Sequence, residues 1–238
     1  SDLADSYNDM VRHIDRLIRQ NYLSEINEKT SRLAALEAQL NPHFLYNTLQ
    51  AIATEALVND QPQIYDMITS LAANLRYSIK GGDLVSLQSE ITYVKNYLLL
   101  QKTRLEDRLQ VSFDVDKSLL QAMIPKISIQ ILVENAILHG MGTETDSIAI
   151  AIQVLRHDKY LCAIVSDNGC GIPADQLQQM KASFQNFLHP DSAGKIGLAN
   201  LNSRLHLLYE EDATLEIQSI ESEGTRITML IPVTAERT

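Results

Sequence analysis

Apolar residues in the first 108 or so positions recur every three or four residues, which predicts helices with one apolar face. Steps of four over residues 18–26 indicate a phase shift in this repeat, which resumes from Leu33 to Phe44. A stripe of this length needs a second helix or a second copy of the chain to cover it. Its first part alternates steps of four and three residues, as in a coiled-coil seam: Leu3, Tyr7, Met10, Ile14 and Leu17.

Two shorter helices are predicted next. The stretch Asn-Asp-Gln-Pro at 59–62 breaks the first helix, and Pro62 suits the first turn of another, which ends at Gly81 and Gly82. Ser86 is the predicted N-cap of a third helix. An antiparallel hairpin that dimerises into a four-helix bundle would bury these stripes. The apolar positions are Ile64, Ile68, Leu71, Leu75 and Ile79 in one helix, and Leu87, Ile91, Val94, Leu98 and Leu105 in the other.

The pattern changes from about Leu109, where short alternating segments predict strands. Strands are expected at 110–115, 148–155, 160–165, 215–220 and 225–231, the last two as a hairpin across 222–224. Helices are expected at 125–138, opened by Pro125 and closed by Gly140, and at 174–187 and 198–209. This order predicts an α+β sandwich of helices over a mixed or antiparallel sheet.

Composition narrows the class of partner. Hydrophobic residues are 45% of the 238, enough for a core, and the formal net charge of −10 argues against nucleic acid as the main partner. No stretch reaches the roughly 18 to 20 apolar residues of a membrane-spanning helix. Two cysteines, Cys162 and Cys170, make no disulfide framework. We expect the chain as given to be soluble and to lie in a reducing, cytoplasmic setting.

The first segment with candidate chemistry is Leu-Asn-Pro-His-Phe-Leu-Tyr-Asn at 40–47. A proline inside a helical pattern costs about 3 kcal/mol, because it removes a backbone hydrogen bond. Here Pro42 immediately precedes His43, so a bend would push the imidazole out of the packed seam. The alternative is a helix boundary or hinge beside an incidental surface histidine.

A second segment places Asn135 and His139 four residues apart, on one face of an otherwise apolar helix. A largely buried amide must find polar partners, and a hydrated Mg²⁺ that holds phosphates would be one. The alternative is that both side chains bond to backbone groups in the core.

Three further segments contain glycine. Val-Ser-Asp-Asn-Gly-Cys-Gly-Ile-Pro at 165–173 follows an apolar strand, and a carboxylate at such a position can accept a hydrogen bond from an adenine amino group. Gly-Lys-Ile-Gly-Leu at 194–198 precedes a helix whose N-terminal amides could face phosphate. Glu-Gly-Thr at 223–225 has the form of a hairpin turn. Each also fits an ordinary turn when taken alone.

In order and spacing, the five segments resemble the LytS/YesM-type sensor histidine kinases, whose ATP-binding domain belongs to the GHKL group. The resemblance runs from about Leu33 to Pro232 and rests on LEAQLNPHFLYNTL, VENAILHG, DNGCGI, GLANLNSRLHLLY and EGT. The first residues, LADSYNDMVRHIDRLI, are similar to the end of a HAMP signal-relay segment. That similarity implies transmembrane helices upstream, so that this chain is the cytoplasmic portion of a cell-membrane sensor protein.

The resemblance implies an α+β fold, in which an N-terminal hairpin dimerises as a four-helix bundle before a GHKL (Bergerat-type) α/β sandwich. Residues 1–26 would be the end of the relay, 27–108 the dimerisation and phosphotransfer helices, and 109–238 the ATP-binding domain. The helix over 85–108 fits either of the last two regions.

It also implies roles for individual residues. His43 would accept the phosphoryl group from ATP, and Asn135 would hold Mg²⁺ as a catalytic residue. Asn47, on the face of His43, would help to position water for dephosphorylation of a partner. The remaining nucleotide contacts would be His139 and Lys195 near the phosphates, Asp167 on adenine, Gly169 and Gly171 at the pocket floor, Gly197 and Leu198 at the end of a lid over 181–196, and Thr225 beside the base or Asp167.

Two departures and two rival functions bear on this assignment. Many histidine kinases have an acid directly after the histidine, where this chain has Phe44, and Lys195 stands where glycine is common.

Gyrase-like and chaperone-like GHKL ATPases have a glutamate about one turn before the asparagine, where this chain has Ile131. The expected activity is therefore ATP-dependent autophosphorylation of a homodimer and transfer to a response-regulator receiver domain. The alternatives are a GHKL ATPase and a nucleotide-binding scaffold.

Overall fold

The computed structural model describes residues 42–79, 82–141, 147–185 and 196–233. Three predictions fall outside the described residues: the relay and coiled-coil stripe before Pro42, the bend at that position, and the role of Lys195. The helices are α1 Pro42–Val58, α2 Pro62–Ile79, α3 Leu87–Leu105, α4 Ser128–Gly140, α5 Ala174–Gln185 and α6 Ile196–Tyr209. The strands are β1 Leu84–Ser86, β2 Leu109–Val115, β3 Met123–Pro125, β4 Ile148–His157, β5 Tyr160–Asp167, β6 Thr214–Ile220 and β7 Gly224–Pro232.

Helices α1 and α2 form the predicted hairpin and pack against each other. The break at 59–61 is confirmed, and Pro62 is the first helical residue of α2. The guanidinium carbon of Arg76 lies 3.9 Å from the centre of the Tyr46 ring, which joins the two helices by a cation–π contact. The buried apolar residues of the described hairpin are all alanines: Ala53, Ala56 and Ala72.

Helix α3 belongs to the core of the sheet domain. Ser86 caps it as predicted, with its hydroxyl accepting from the Ser89 N–H. All five predicted apolar positions of α3 are buried in one cluster with the sheet and α4. The helix over 85–108, which fitted either region, packs on both the sheet domain and α2, and the predicted domain bounds stay a prediction.

The five-stranded sheet has the order β2-β4-β5-β7-β6. It is mixed, because β2 runs parallel to β4 while the other neighbours are antiparallel. Alternate residues of β4 are buried on the helix-covered face: Ile148, Ile150, Ile152 and Val154. Helices α4, α5 and α6 pack on this sheet, which confirms the predicted α+β class.

The predicted helix start at Pro125 is wrong. Pro125 ends β3 and pairs with Leu84 of β1, and α4 begins at Ser128, after Ile127 in a left-handed conformation (φ 63°). The first N–H groups of α4 bond to the carboxylate of Glu90 in α3. A contact between distant segments therefore sets the helix start, and local spacing does not reveal it.

None of the helices in the described ranges is long and apolar enough to cross a bilayer.

Candidate functional site

A cavity of about 460 Å³ opens between α4, the segment after β5, the β6–β7 hairpin and the first turn of α6. Its walls are mainly apolar, with polar side chains from α4, β5, α5 and β7, as is typical of sites for small organic ligands. It is lined by Asn135, Ala136, His139, Gly140, Asp167, Cys170, Gly171, Ile172, Pro173, Gln176, Met180, Leu198, Ile217, Thr225 and Ile227.

Asp167 ends β5 with its carboxylate inside the cavity. Its Oδ1 accepts from the N–H of Gly169 at 2.9 Å and from the N–H of Thr225 at 3.3 Å. These bonds orient the carboxyl group and leave Oδ2 for a ligand. Burial raises the pKa of Asp167, and the two backbone hydrogen bonds oppose that shift.

Glycines let the segment after β5 lie directly on its neighbours. Gly171 has φ +66°, and a Cβ there would lie 2.0 Å from the carbonyl oxygen of Ile220. At Gly169 a Cβ would lie 2.2 Å from the carbonyl oxygen of Gly140, at the end of α4. Gly224 meets the end of β5 as closely, since its Cβ would lie 2.0 Å from the Asp167 carbonyl oxygen. Three backbone segments are thus in direct contact beside the cavity, and of these three glycines Gly171 lines it whereas Gly169 and Gly224 do not.

Helix α4 presents Asn135 and His139 to the cavity, as predicted from their spacing. Asn135 is half-buried, and its Nδ2 donates to the Ile131 carbonyl at 2.7 Å. This bond leaves Oδ1, an oxygen ligand of the kind that Mg²⁺ prefers. His139 is exposed at the rim.

Leu198 and Thr225 also line the cavity. The Thr225 hydroxyl lies 2.8 Å from Ser219 Oγ, so this contact ties the two strands of the hairpin together beside Asp167. Gly197 does not line the cavity but lies beside it, since a Cβ there would be 4.0 Å from Asn135 Nδ2.

His43 and Asn47 lie on α1, outside this cavity. Both are exposed, and Asn47 Nδ2 is 3.2 Å from His43 Nδ1 and 3.4 Å from Nε2. The predicted site residues that the structure describes therefore form two groups, one on the hairpin and one in the sheet domain.

Sequence reasoning missed the apolar walls. Ile217 and Ile227 are cross-strand partners in the β6–β7 hairpin and face the cavity together. The alternation of apolar residues in both strands was visible, but which alternate positions face a ligand depends on the sheet order. Cys170 was also missed, and its Sγ lies 3.0 Å from the carbonyl oxygen of His139.

Within the described ranges, no three His, Cys, Asp or Glu side chains are grouped to hold a metal ion. Asn135 Oδ1 is an amide oxygen at the cavity that could serve as one protein ligand of a divalent cation whose other ligands are phosphate oxygens and water. Mg²⁺ is commonly bound in this way, with few protein ligands.

Two family models match the chain. Residues 31–109 match the histidine kinase family, and residues 125–235 match the histidine kinase-, DNA gyrase B-, and HSP90-like ATPases. The sensor histidine kinase YesM of Bacillus subtilis is 37% identical over 94% of this chain and 37% of YesM. The sensor protein LytS of Staphylococcus saprophyticus is 34% identical over 86% of this chain and 34% of LytS. The chain thus spans about a third of the length of these relatives.

Among solved structures, the histidine kinase domain of a blue-light activated histidine kinase from Erythrobacter litoralis aligns over 80% of this chain and 96% of that domain. The TM-score is 0.47 and the sequence identity is 14%.

Proposed function

The chain belongs to the sensor histidine kinases, and from that premise we propose that it transfers the γ-phosphoryl group of ATP to His43. The phosphoryl group then passes to an aspartate of a response-regulator receiver domain. The observation that carries the proposal is the cavity that joins Asn135, Asp167 and Thr225, in a domain packed against a hairpin that exposes His43.

The cavity suits an adenine nucleotide. Its volume of about 460 Å³ and its apolar walls match a flat aromatic base. Asp167 offers Oδ2 as an acceptor for the amino group of adenine, which guanine lacks at that position. Phosphates would leave the cavity past Asn135 and His139, beside Gly197.

The residues also fit a magnesium ion that accompanies the phosphates. Asn135 Oδ1 would be its protein ligand, because Nδ2 is held by the Ile131 carbonyl. When bound, the ion neutralises phosphate charge, which phosphoryl transfer requires. The chain's contribution is to place that ligand one helical turn from His139 and beside the first turn of α6.

On the hairpin, a neutral imidazole nitrogen of His43 is the nucleophile. The next residue is Phe44, so no acid adjacent in sequence accepts a proton. The nearest described polar contact to the ring is the Asn47 amide. Transfer requires the terminal phosphate to come within roughly 3 to 3.5 Å of the ring nitrogen, so the sheet domain must move against the hairpin.

Two features disfavour the hydrolase alternative. The residue one turn before Asn135 is Ile131, which has no group to activate water. The adjacent acid, Glu134, accepts from Gln130 Nε2 at 2.9 Å and does not line the cavity. No described carboxylate other than Asp167 lines it.

Apolar residues on the hairpin support the proposal of a homodimer. Ile52 and Leu71 are 49% and 46% exposed, although both are apolar. Leu45 lies seven residues before Ile52, and Ile64 lies seven before Leu71, so each pair marks one helix face. A second hairpin would cover these faces as a four-helix bundle. The sensor-type relatives support the further proposal that this is the cytoplasmic portion of a membrane sensor.

Asn47 is proposed to act in the reverse direction, on the phosphorylated partner. Its amide shares the exposed face of α1 with His43, where it would hold a water molecule for dephosphorylation. An Asn47→Ala variant should keep autophosphorylation and lose phosphatase activity. Full phosphatase activity in that variant would remove this role.

The central experiment is phosphoryl incorporation from γ-labelled ATP with Mg²⁺ into wild type, His43→Gln and Asn135→Ala. We expect acid-labile, base-stable label in wild type and none in either variant. Nucleotide binding should survive in His43→Gln, since His43 lies outside the cavity. Phosphate release without label would support the hydrolase instead, and neither label nor release would support the scaffold.

A further inference from the structure

Glu90 is a fully buried carboxylate at the junction of the hairpin and the sheet domain. It lies in the first turn of α3 and its exposed fraction is 0%. A buried charge is costly unless its acceptor positions are filled, so a carboxylate in this position needs a specific set of donors.

Four donors fill the acceptor positions of Glu90. Oε2 accepts from the Tyr77 hydroxyl at 2.5 Å and from the Ile127 N–H at 2.8 Å. Oε1 accepts from the N–H groups of Ile129 at 3.1 Å and Gln130 at 3.3 Å. An ionised carboxylate offers about four such positions, so all four groups can donate to it, whereas a carboxyl proton could be accepted only by the Tyr77 hydroxyl oxygen among these four groups. The ionised form therefore fits the site. Burial raises the pKa of Glu90, and the hydrogen bonds from Tyr77, Ile127, Ile129 and Gln130 oppose that shift.

Three of these donors belong to the start of α4. Backbone N–H groups at a helix N-terminus have no partner within the helix, and a carboxylate there also interacts favourably with the helix dipole. Glu90 thus replaces a local cap and fixes the end of the helix that carries Asn135. Because Asn135 lies seven residues further along a continuous helix, roughly 10 Å away, the position of the helix start determines its position.

The fourth donor, Tyr77, belongs to the hairpin. It lies near the end of α2, and its ring lines the groove between α1 and α2 together with Tyr46, three residues after His43. Burial, and then the Glu90 carboxylate, raise the pKa of Tyr77, so its hydroxyl stays protonated and remains a donor. Two other bonds reach the next residue of α2: Lys126 Nζ donates to the Ser78 carbonyl at 2.9 Å, and the Tyr93 hydroxyl lies 3.2 Å from Ser78 Oγ.

We propose that Glu90 is a positioning residue for phosphoryl transfer, which holds the start of α4, and with it Asn135, to Tyr77 of the phosphoacceptor hairpin. This inference rests on the proposed function. A rotation or shift of α2 acts on Tyr77 and through Glu90 on the helix beside the nucleotide phosphates. By reciprocity, a nucleotide bound at Asn135 acts through the same contact on the end of α2.

Tyr77→Phe tests the contact with the least disturbance, because it removes one hydroxyl and leaves the three N–H bonds of α4 in place. Tyr93→Phe is the matched control. Tyr93 stacks on Tyr77 with ring centroids 4.4 Å apart, but its hydroxyl bonds to Ser78 rather than to Glu90.

The first readout separates binding from transfer in the full chain. In Tyr77→Phe we expect the dissociation constant for Mg·ATP to change less than about twofold, while the labelling rate at saturating Mg·ATP falls roughly tenfold, the scale of one charge-assisted hydrogen bond. Tyr93→Phe should stay within about twofold of wild type in both. An unchanged or faster rate in Tyr77→Phe, or an equal loss in Tyr93→Phe, overturns the proposal.

The second readout is amide hydrogen exchange of residues 70–79 with and without a non-hydrolysable ATP analogue and Mg²⁺. Nucleotide should slow this exchange in wild type and Tyr93→Phe but not in Tyr77→Phe. It requires no phosphorylation, so a wild type that takes up no label would refute the proposed function while this measurement still tests the coupling. Equal protection in all three proteins overturns the inference.

Discussion

The hairpin and the sheet domain use their apolar residues in opposite ways. In the sheet domain, large side chains such as Leu132 and Ile150 are enclosed, with exposed fractions of 0% and 2%. In the described part of the hairpin the buried apolar residues are alanines, whereas Ile52 and Leu71 remain about half exposed. The sheet domain buries its large apolar side chains within a single chain, whereas the described part of the hairpin leaves large apolar side chains exposed.

This difference shows that an apolar stripe predicts burial without predicting what covers it. The stripes of α2 and α3 have the same spacing over their first four positions, yet α3 buries all five of its positions and α2 leaves three of its five exposed. The free energy from apolar burial, about 25 cal/mol per Å², is therefore available to the hairpin mainly through another surface. Its stability should depend on protein concentration, and that of the sheet domain should not.

The largest expected effect follows from placing a charge on the hairpin stripe. In Ile52→Glu each copy would bury an unpaired carboxylate in the bundle, so we expect the dimer dissociation constant to rise by at least about 100-fold. Light scattering over a range of concentrations measures it. Leu207→Glu, at a position on α6 that is 77% exposed, is the control and should leave association unchanged. A dimer that survives Ile52→Glu would mean that this face is not the interface.

The sheet domain should respond to truncation of its own core. Leu132→Ala removes a fully buried side chain of α4 and should cost about 2 to 5 kcal/mol of unfolding free energy. Leu138→Ala, on the same helix at 65% exposure, should cost far less. Urea unfolding monitored in the sheet domain provides the comparison. Equal costs in the two variants would contradict a self-contained core.

Backbone contact at the cavity floor makes a third test. In Gly171→Ala the left-handed conformation alone costs about 1 to 2 kcal/mol, and the Ile220 carbonyl blocks the added carbon. We expect lower thermal stability and weaker nucleotide binding. Gly197→Ala is the control for thermal stability alone, because its Cβ would lie 3.6 Å from the nearest side chain, an ordinary contact. If Gly171→Ala were tolerated, the turn between β6 and β7 would have to be able to move away from residue 171.

Much of this architecture was predictable from local patterns. The break before Pro62, the Ser86 cap, the closing β-hairpin and the α+β class follow from residue spacing and turn chemistry. The start of α4 was not predictable, since Glu90 supplies its cap from 39 residues away. The short β1–β3 pairing was missed for the same reason, because neither strand alternates long enough to be recognised.

Only some of the residues that line the cavity could be predicted from the sequence. Asn135, His139, Asp167, Gly171, Leu198 and Thr225 were expected to lie near a nucleotide, and the structure brings them to one cavity. Their apolar partners were not identified, since Ile217 and Ile227 meet only through the β6–β7 register. The roles of all these residues remain predictions until nucleotide binding is measured.

The smallest expected effect concerns the charge of Asp167 in the sheet domain. Burial raises its pKa, so the folded domain without nucleotide binds the proton more tightly than the unfolded chain does. The stabilisation that protonated Asp167 gives the folded domain is present below the pKa of Asp167 in the unfolded chain. It is lost as the pH rises through the higher pKa of Asp167 in the folded domain. Asp167→Asn should therefore be as stable as wild type or slightly more stable at neutral pH, with the advantage vanishing on acidification.

Asp167→Asn should weaken ATP binding, although it leaves stability at neutral pH unchanged or slightly higher. The introduced amide has one oxygen and cannot replace both carboxylate oxygens of Asp167 as acceptors, so the affinity of Asp167→Asn should fall by roughly tenfold. Wild-type affinity should weaken as the carboxylate is protonated, whereas that of the variant should be flat over the same range. Melting temperature and calorimetric affinity across acidic to neutral pH measure both effects, and the hairpin variant His43→Gln should follow wild type in each. A variant that binds ATP as tightly as wild type would place the adenine contact elsewhere in the cavity.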